Sequence, residues 1–220
     1  MTKRVKPRRD YHSPRRDEQA RETRLAILAA ARALFLDHGY PATTIQGIAE
    51  RAGLSPATVY ATFTNKRSVL AAVVDVSIAG DDAPIPILDR PWVQELRAEP
   101  DLRRRARILA ANGRMILERR APMDEVVRTA AASDPEIAAF HRQGKEQRLA
   151  GQRRLLRMVA GSHGLRPGLS EAAAADILYA IGSPETYRLL TNDRGWSAAR
   201  FERWYADALV RLLFEPPPAG

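Results

Sequence analysis

The side chains best suited to recognition chemistry fall in one short stretch, GLSPATVYATF, residues 53–63. The hydroxyls of Ser55, Thr58 and Tyr60 alternate there with small groups such as Ala57 and Ala61. Hydroxyls among small neighbours suit close approach to phosphate oxygens and base edges in a DNA groove. Thr43, Thr44 and Lys66 stand at neighbouring helix starts, where backbone amides and positive charge suit anions. Plain packing is the competing reading, because short capped helices with two apolar residues are common and Tyr60 could be a half-buried ring.

Other chemistries find less support. The 220-residue chain has no cysteine, which removes disulfides, thiol nucleophiles and thiolate metal sites. His12, His38, His141 and His163 are scattered without metal-ligand spacing. Ser162 and His163 share a glycine-rich turn and read as loop polar groups. The Arg103–Arg105 run reads as a solvated helix face, with DNA or an anionic ligand as a lesser alternative. No catalytic constellation, metal or cofactor is expected, so the chain is not read as an enzyme. No long uncharged apolar run is present, and no apolar stretch follows the basic N-terminus, so a soluble cytoplasmic protein is expected.

The formal charge of +9 is unevenly placed. Residues 1–24 hold nine Lys or Arg against four Asp or Glu, which is over half of the net charge. A polyanionic partner fits such a segment, although a solvated tail that aids solubility has the same composition.

The elements that must position these groups read as helices throughout. Residues 1–16 are expected to be a flexible basic arm. A first helix runs from Asp17, with Ile27, Leu28, Ala31, Leu34 and Phe35 as its apolar stripe and Gly39 after its end. Thr43 three residues before Gln46 reads as a capping box opening a short second helix. Ser55 caps a third helix with Pro56 in its first turn, and Asn65 caps a fourth. At about 100° per residue, Val59 and Phe63 point inward while Ala57, Thr58, Tyr60 and Ala61 point outward. Two short helices across a glycine turn make a helix-turn-helix candidate. Residues 80–100, rich in proline and aspartate, read as a connection with room for one short helix. Helices are then expected at about 101–120, 122–132, 135–160, 170–191 and 197–214. The fold class is all-α, in three parts: the arm 1–16, a DNA-binding domain 17–79, and a helical regulatory domain 80–220.

The run TTIQGIAERAGLSPATVYATFTNKRSVLAAVVD, residues 43–75, resembles the N-terminal domain of TetR-type transcriptional regulators. Thr43, Thr44, Ile48, Ala49, Ala52, Gly53, Ser55, Thr58, Val59, Tyr60, Phe63 and Lys66 match that pattern, which extends over roughly residues 20–78. The resemblance implies DNA contacts from Thr43, Thr44, Ser55, Pro56, Ala57, Thr58 and Tyr60, with Lys66 clamping phosphate. Thr62 stands where the family often has an aromatic or histidine; its hydroxyl can still reach phosphate. Ala57 stands where glycine is frequent. The segments around Asp134–Pro135 and residues 177–213 resemble the family's regulatory domain, which implies a homodimer closed by its last two long helices.

In the larger domain Trp92, Met115, Met123, Phe140, Tyr187 and Trp196 are candidate lining residues of an effector pocket, with Arg114, Glu185 and His141 as polar anchors. The same side chains could be plain core. Leu178, Ile181, Leu189, Leu190, Trp204, Ala208, Leu209 and Leu212 offer more apolar surface than a helix pair would bury. The expected function is a ligand-responsive homodimeric regulator on a palindromic double-stranded DNA operator, acting as a repressor. The alternative is a sequence-tolerant, nucleoid-type binder that uses the basic arm.

Overall fold

The computed structural model describes residues 14–215 and, within them, is helical with no strand. Residues 1–13, most of the expected arm, lie outside the described residues, but Pro14, Arg15 and Arg16 belong to the first helix. Helix α1 spans Pro14–Ala42, interrupted at Gly39, whose φ of 75° is one that L side chains rarely adopt. Helices α2 (Ile45–Ala52), α3 (Pro56–Thr62) and α4 (Lys66–Ala79) follow with short turns. The region 80–100 contains a 3₁₀ turn, Ile87–Asp89, and helix α5, Pro91–Ala98. Val93 and Leu96 of α5 are fully buried, so this connection is part of the packed structure.

Helix α6 runs unbroken over Leu102–Ala131, where two helices were expected. Pro122 sits on its exposed side, where the carbonyl freed by the missing N–H can meet water. Burial on both sides of the proline keeps the helix continuous: Leu117 and Ala121 enter one core, Met123 and Val127 the other. Helix α7 is Pro135–Ala160, with Asp134 accepting from the N–H groups of Glu136 and Ile137. The stretch expected as one helix over 170–191 divides into α8 (Glu171–Ile181) and α9 (Pro184–Arg188), which passes into a π turn, Leu189–Asp193. Ser183 causes the division, because its hydroxyl accepts from the Thr186 N–H at 2.9 Å and Pro184 opens the new helix. Helix α10, Ala198–Leu213, closes the fold against α6.

Two hydrophobic cores result. The first joins α1–α4 to Met123, Val127, Ala130 and Ile137 from α6 and α7. The second gathers α5, the first part of α6, the end of α7, and α8–α10 around Phe201 and Tyr205. Helix α6 therefore belongs to both, and it ties the end of α4 to the larger bundle. Arg119 of α6 donates to the carbonyls of Ser77 (3.2 Å) and Ile78 (3.3 Å), acceptors the last turn of α4 cannot use internally. Arg21 forks onto Asp82 at 2.7–3.1 Å, and Arg90 onto Asp81 at 2.5 and 2.9 Å. Those two pairs pin the chain just after α4.

Candidate nucleic-acid interface and buried cavity

The outward face of α3 follows from its caps. Ser55 Oγ accepts from the Thr58 N–H at 3.1 Å, with Pro56 in the first turn, so the helix starts abruptly after the left-handed Gly53. Val59 and Phe63 are buried against α1 and α2. Ser55, Pro56, Ala57, Tyr60 and Ala61 are exposed, with Tyr60 at 57 %. Thr58 is half-buried, its Oγ1 2.9 Å from Ser55 Oγ. Thr62 is also half-buried and donates back to the Thr58 carbonyl at 3.0 Å. Exposed Thr44, not Thr43, caps α2, accepting from the Gly47 N–H at 3.0 Å. No Thr43–Gln46 capping box forms; Gln46 instead donates to Glu50.

Two expected phosphate ligands point elsewhere. Thr43 is 2 % exposed, and its hydroxyl donates to the Gly39 carbonyl at 2.8 Å. The Lys66 ammonium donates to the carbonyls of Tyr40 (2.8 Å), Pro41 (3.3 Å) and Thr43 (2.8 Å), and stands 4.3 Å from the Tyr40 ring centre. An ammonium has three donors, so in this structure Lys66 ties α4 to the α1–α2 turn with none left over. Burial pulls its pKa down, partly opposed by Asp134. Beside α3, Arg15, Arg16, Arg21 and Arg24 of α1 line a groove with Thr58 and Thr62. The charge excess of the N-terminal segment was the available signal for that flank. Arg21 is held by Asp82, and Arg24 lies 4.7 Å over the Phe63 ring.

A cavity of about 290 Å³ lies between α4, α6 and α7, closed by α5, α8 and α10. Trp92, Phe140 and His141 line it as expected residues of an effector pocket. Six other candidates lie outside its lining. Met123 is fully buried in the first core, and Tyr187 packs edge-on to Phe201 at 4.8 Å. Trp196 lies edge-on to Trp204 with Arg200 over its face. Arg114 is paired with Glu118 and Glu202, Met115 faces solvent, and Glu185 sits 3.9 Å from Arg148. The polar lining that composition did not single out is Asp75, Arg120, Asp124, Gln147, Arg148, Gln152 and Tyr205. Burial raises the Asp75 pKa against the pull of Arg120 and Arg24, and lowers that of His141. Burial also raises the pKa of Tyr205. Among the described residues no cluster of His, Cys, Asp or Glu could hold a metal, and no helix is long and apolar enough to cross a membrane.

A tight pair of capped helices, the second presenting small and hydroxylated groups to solvent, defines a helix-turn-helix protein. Residues 27–73 match the family model for bacterial regulatory proteins of the tetR family. It is 44 % identical over 64 residues to YdeS of Bacillus subtilis, an uncharacterized HTH-type transcriptional regulator, covering 29 % of this chain and 32 % of the relative. It is 39 % identical over 61 residues to the HTH-type regulator TtgR of Pseudomonas putida, covering 28 % and 29 %. The chain thus spans under a third of the length of these curated relatives. Over most of its length it shares a fold with SmeT, the repressor of the Stenotrophomonas maltophilia efflux pump SmeDEF: TM-score 0.61, 24 % identity, 90 % of this chain and 100 % of SmeT covered. A SmeT–triclosan complex gives a TM-score of 0.66, also at 24 % identity, with 90 % and 99 % covered. At that identity the likeness speaks for the fold.

Proposed function

We propose that this protein is a DNA-binding transcriptional regulator that acts as a homodimeric repressor and is released from a palindromic operator by a small effector. The observation that carries the reading is the exposed face of α3, with Ser55, Ala57 and Tyr60 outward while Val59 and Phe63 anchor it. The helix enters the major groove, Thr44 and the α1 arginines meet phosphates, and Thr58 and Tyr60 supply hydrogen bonds to bases or backbone. Thr43 and Lys66 act from behind by fixing the turn before α2.

Dimerisation is supported by two exposed leucines, Leu189 just after α9 and Leu212 in the last turn of α10, 52 % and 41 % exposed. Two recognition helices about one DNA turn apart then read a two-fold site. Effector response is supported by the cavity wall itself, since Val74, Asp75 and Ile78 of α4 line it. An occupant that favours one position of α4 shifts the separation of the two reading heads, and so the affinity for DNA. Selection of bound fragments from random DNA tests this. It should enrich an inverted repeat with half-sites about one turn apart. Enrichment of no sequence, with binding governed by the basic arm 1–16 alone, would favour the nucleoid-type alternative.

A further inference from the structure

Four buried side-chain polar atoms in the described residues have no hydrogen-bond partner: Arg120 Nε, His141 Nε2, Arg148 Nη1 and Gln152 Oε1. All four belong to residues lining the one cavity between α6 and α7. Such atoms are rare in folded proteins, and each one left unpaired is destabilising. Their coincidence in a single cavity marks a place shaped for a polar occupant.

The chemistry of the missing partner can be read from the valences. Guanidinium N–H groups only donate, so the occupant must offer acceptors to Arg120 and Arg148. Gln152 Nε2 is directed at the Gly182 carbonyl (3.5 Å), and reversing the amide would set oxygen against oxygen. The unpartnered Gln152 atom is therefore an acceptor and asks for a donor. Charge points the same way. Arg120 has Asp124 at 3.3 Å, whereas Arg148 meets a carboxylate only at 3.9 Å, on half-exposed Glu185. The Arg148 side chain is 12 % exposed and stacks 3.7 Å from the Tyr179 ring centre. A guanidinium so little hydrated, with its carboxylate beyond hydrogen-bond distance, is only weakly compensated.

Room is provided by glycine. Gly144 and Gly151 fall on the face of α7 that carries His141, Arg148 and Gln152. A Cβ at Gly151 would meet nothing within 4 Å. The rest of the wall is mostly aliphatic or aromatic, including Leu109, Ile116, Phe140 and Leu155. Its other polar members are Gln147, Tyr205, Asp124 paired to Arg120, and Asp75, whose carboxyl pKa is raised by burial.

We propose that this cavity, taken as the effector site of the preceding reading, selects an apolar carboxylic acid that also bears a hydroxyl. The carboxylate accepts from Arg148 and Arg120, the hydroxyl donates to Gln152, and the apolar body fills the glycine-widened space. Calorimetric titration of the full chain without DNA tests this with four probes of one ring body: hydroxynaphthoate, naphthoate, naphthamide and naphthylmethylammonium. Hydroxynaphthoate should bind tightest and naphthoate several-fold more weakly. Naphthamide should be at least about tenfold weaker than naphthoate, as charged hydrogen bonds exceed neutral ones. The ammonium should not bind. Arg148→Met should erase the preference for acid over amide. Gln152→Leu should erase the preference for the hydroxyl alone, so the two variants report separately. The amide or ammonium equalling the acids, or neither acid binding, would overturn the proposal. Because DNA is absent, such a failure leaves the DNA-reading assignment standing, while an acid that binds without releasing DNA would overturn only the effector response.

Discussion

The reading head and the cavity treat their polar groups in opposite ways. Around α2 and α3, these hydroxyls and one lysine are engaged within the fold: Ser55 and Thr44 on helix-start amides, Thr43 and Thr62 on carbonyls, Lys66 on three carbonyls at once. Around the cavity, four buried polar atoms are left without partners. A surface that must present side chains in fixed register gains from satisfied caps and ties. A site that must respond to an occupant gains from unsatisfied valence, because binding then supplies what the fold lacks. The contrast runs along α6, which contributes Met123 and Val127 to the head's core and Arg120 and Asp124 to the cavity wall.

That contrast can be broken or sharpened by substitution. The largest effect is expected in the head: Phe35 is fully buried against Tyr40, and Phe35→Ala should destabilise by about 3–5 kcal/mol in denaturant melts. Loss of the Lys66 tie should come next. Lys66→Met strands three carbonyls at the α1–α2 turn and should cost about 2 kcal/mol, lowering DNA affinity only through stability. In the cavity the sign reverses. Gly151→Ala adds a methyl to open space in mid-helix and should stabilise by about 0.5–1 kcal/mol, while weakening ligand binding. A loss of stability there would mean that the space is already filled.

The smallest effect concerns acid. Hydrogen bonds from Arg90 hold the exposed Asp81 carboxyl down at about 2, and Arg21 lowers that of Asp82. A carboxyl whose folded pKa is depressed contributes stability that is complete above its ordinary value of 3.8 and lost as pH falls toward 2. Thermal melts across that window should show the decline in the natural chain and a shallower one in Asp81→Asn.

Much of the head was legible because its signals are local. Ser55–Pro56, Asn65 and Gly53 each specify a cap or turn within a few residues, and the inward pair Val59 and Phe63 follows from helical spacing. The adjacent threonines were ambiguous by one residue, and that residue decides which hydroxyl caps α2 and which is buried. Ser183–Pro184 carries the same local signal as Ser55–Pro56, yet the apolar periodicity on either side hides it within an expected single helix. The direction of Lys66 was not legible, since it depends on three carbonyls brought together by α1 and α2. Among cavity residues, Trp92, Phe140 and His141 stood out by type. Arg120, Arg148 and Gln152 did not, because charged side chains on long helices ordinarily face water. The spacing of Gly144 and Gly151 with His141 and Gln152 was a usable clue to the cavity face of α7.

The central claim, that α3 reads DNA through its outward side chains, is tested most directly by the affinity of a Thr58→Ala/Tyr60→Ala variant for the selected operator and for unrelated DNA. With thermal stability unchanged within about 0.5 kcal/mol, operator affinity should fall at least about tenfold while binding to unrelated DNA and its salt dependence persist. Equal operator affinity in the variant and the natural chain would contradict it.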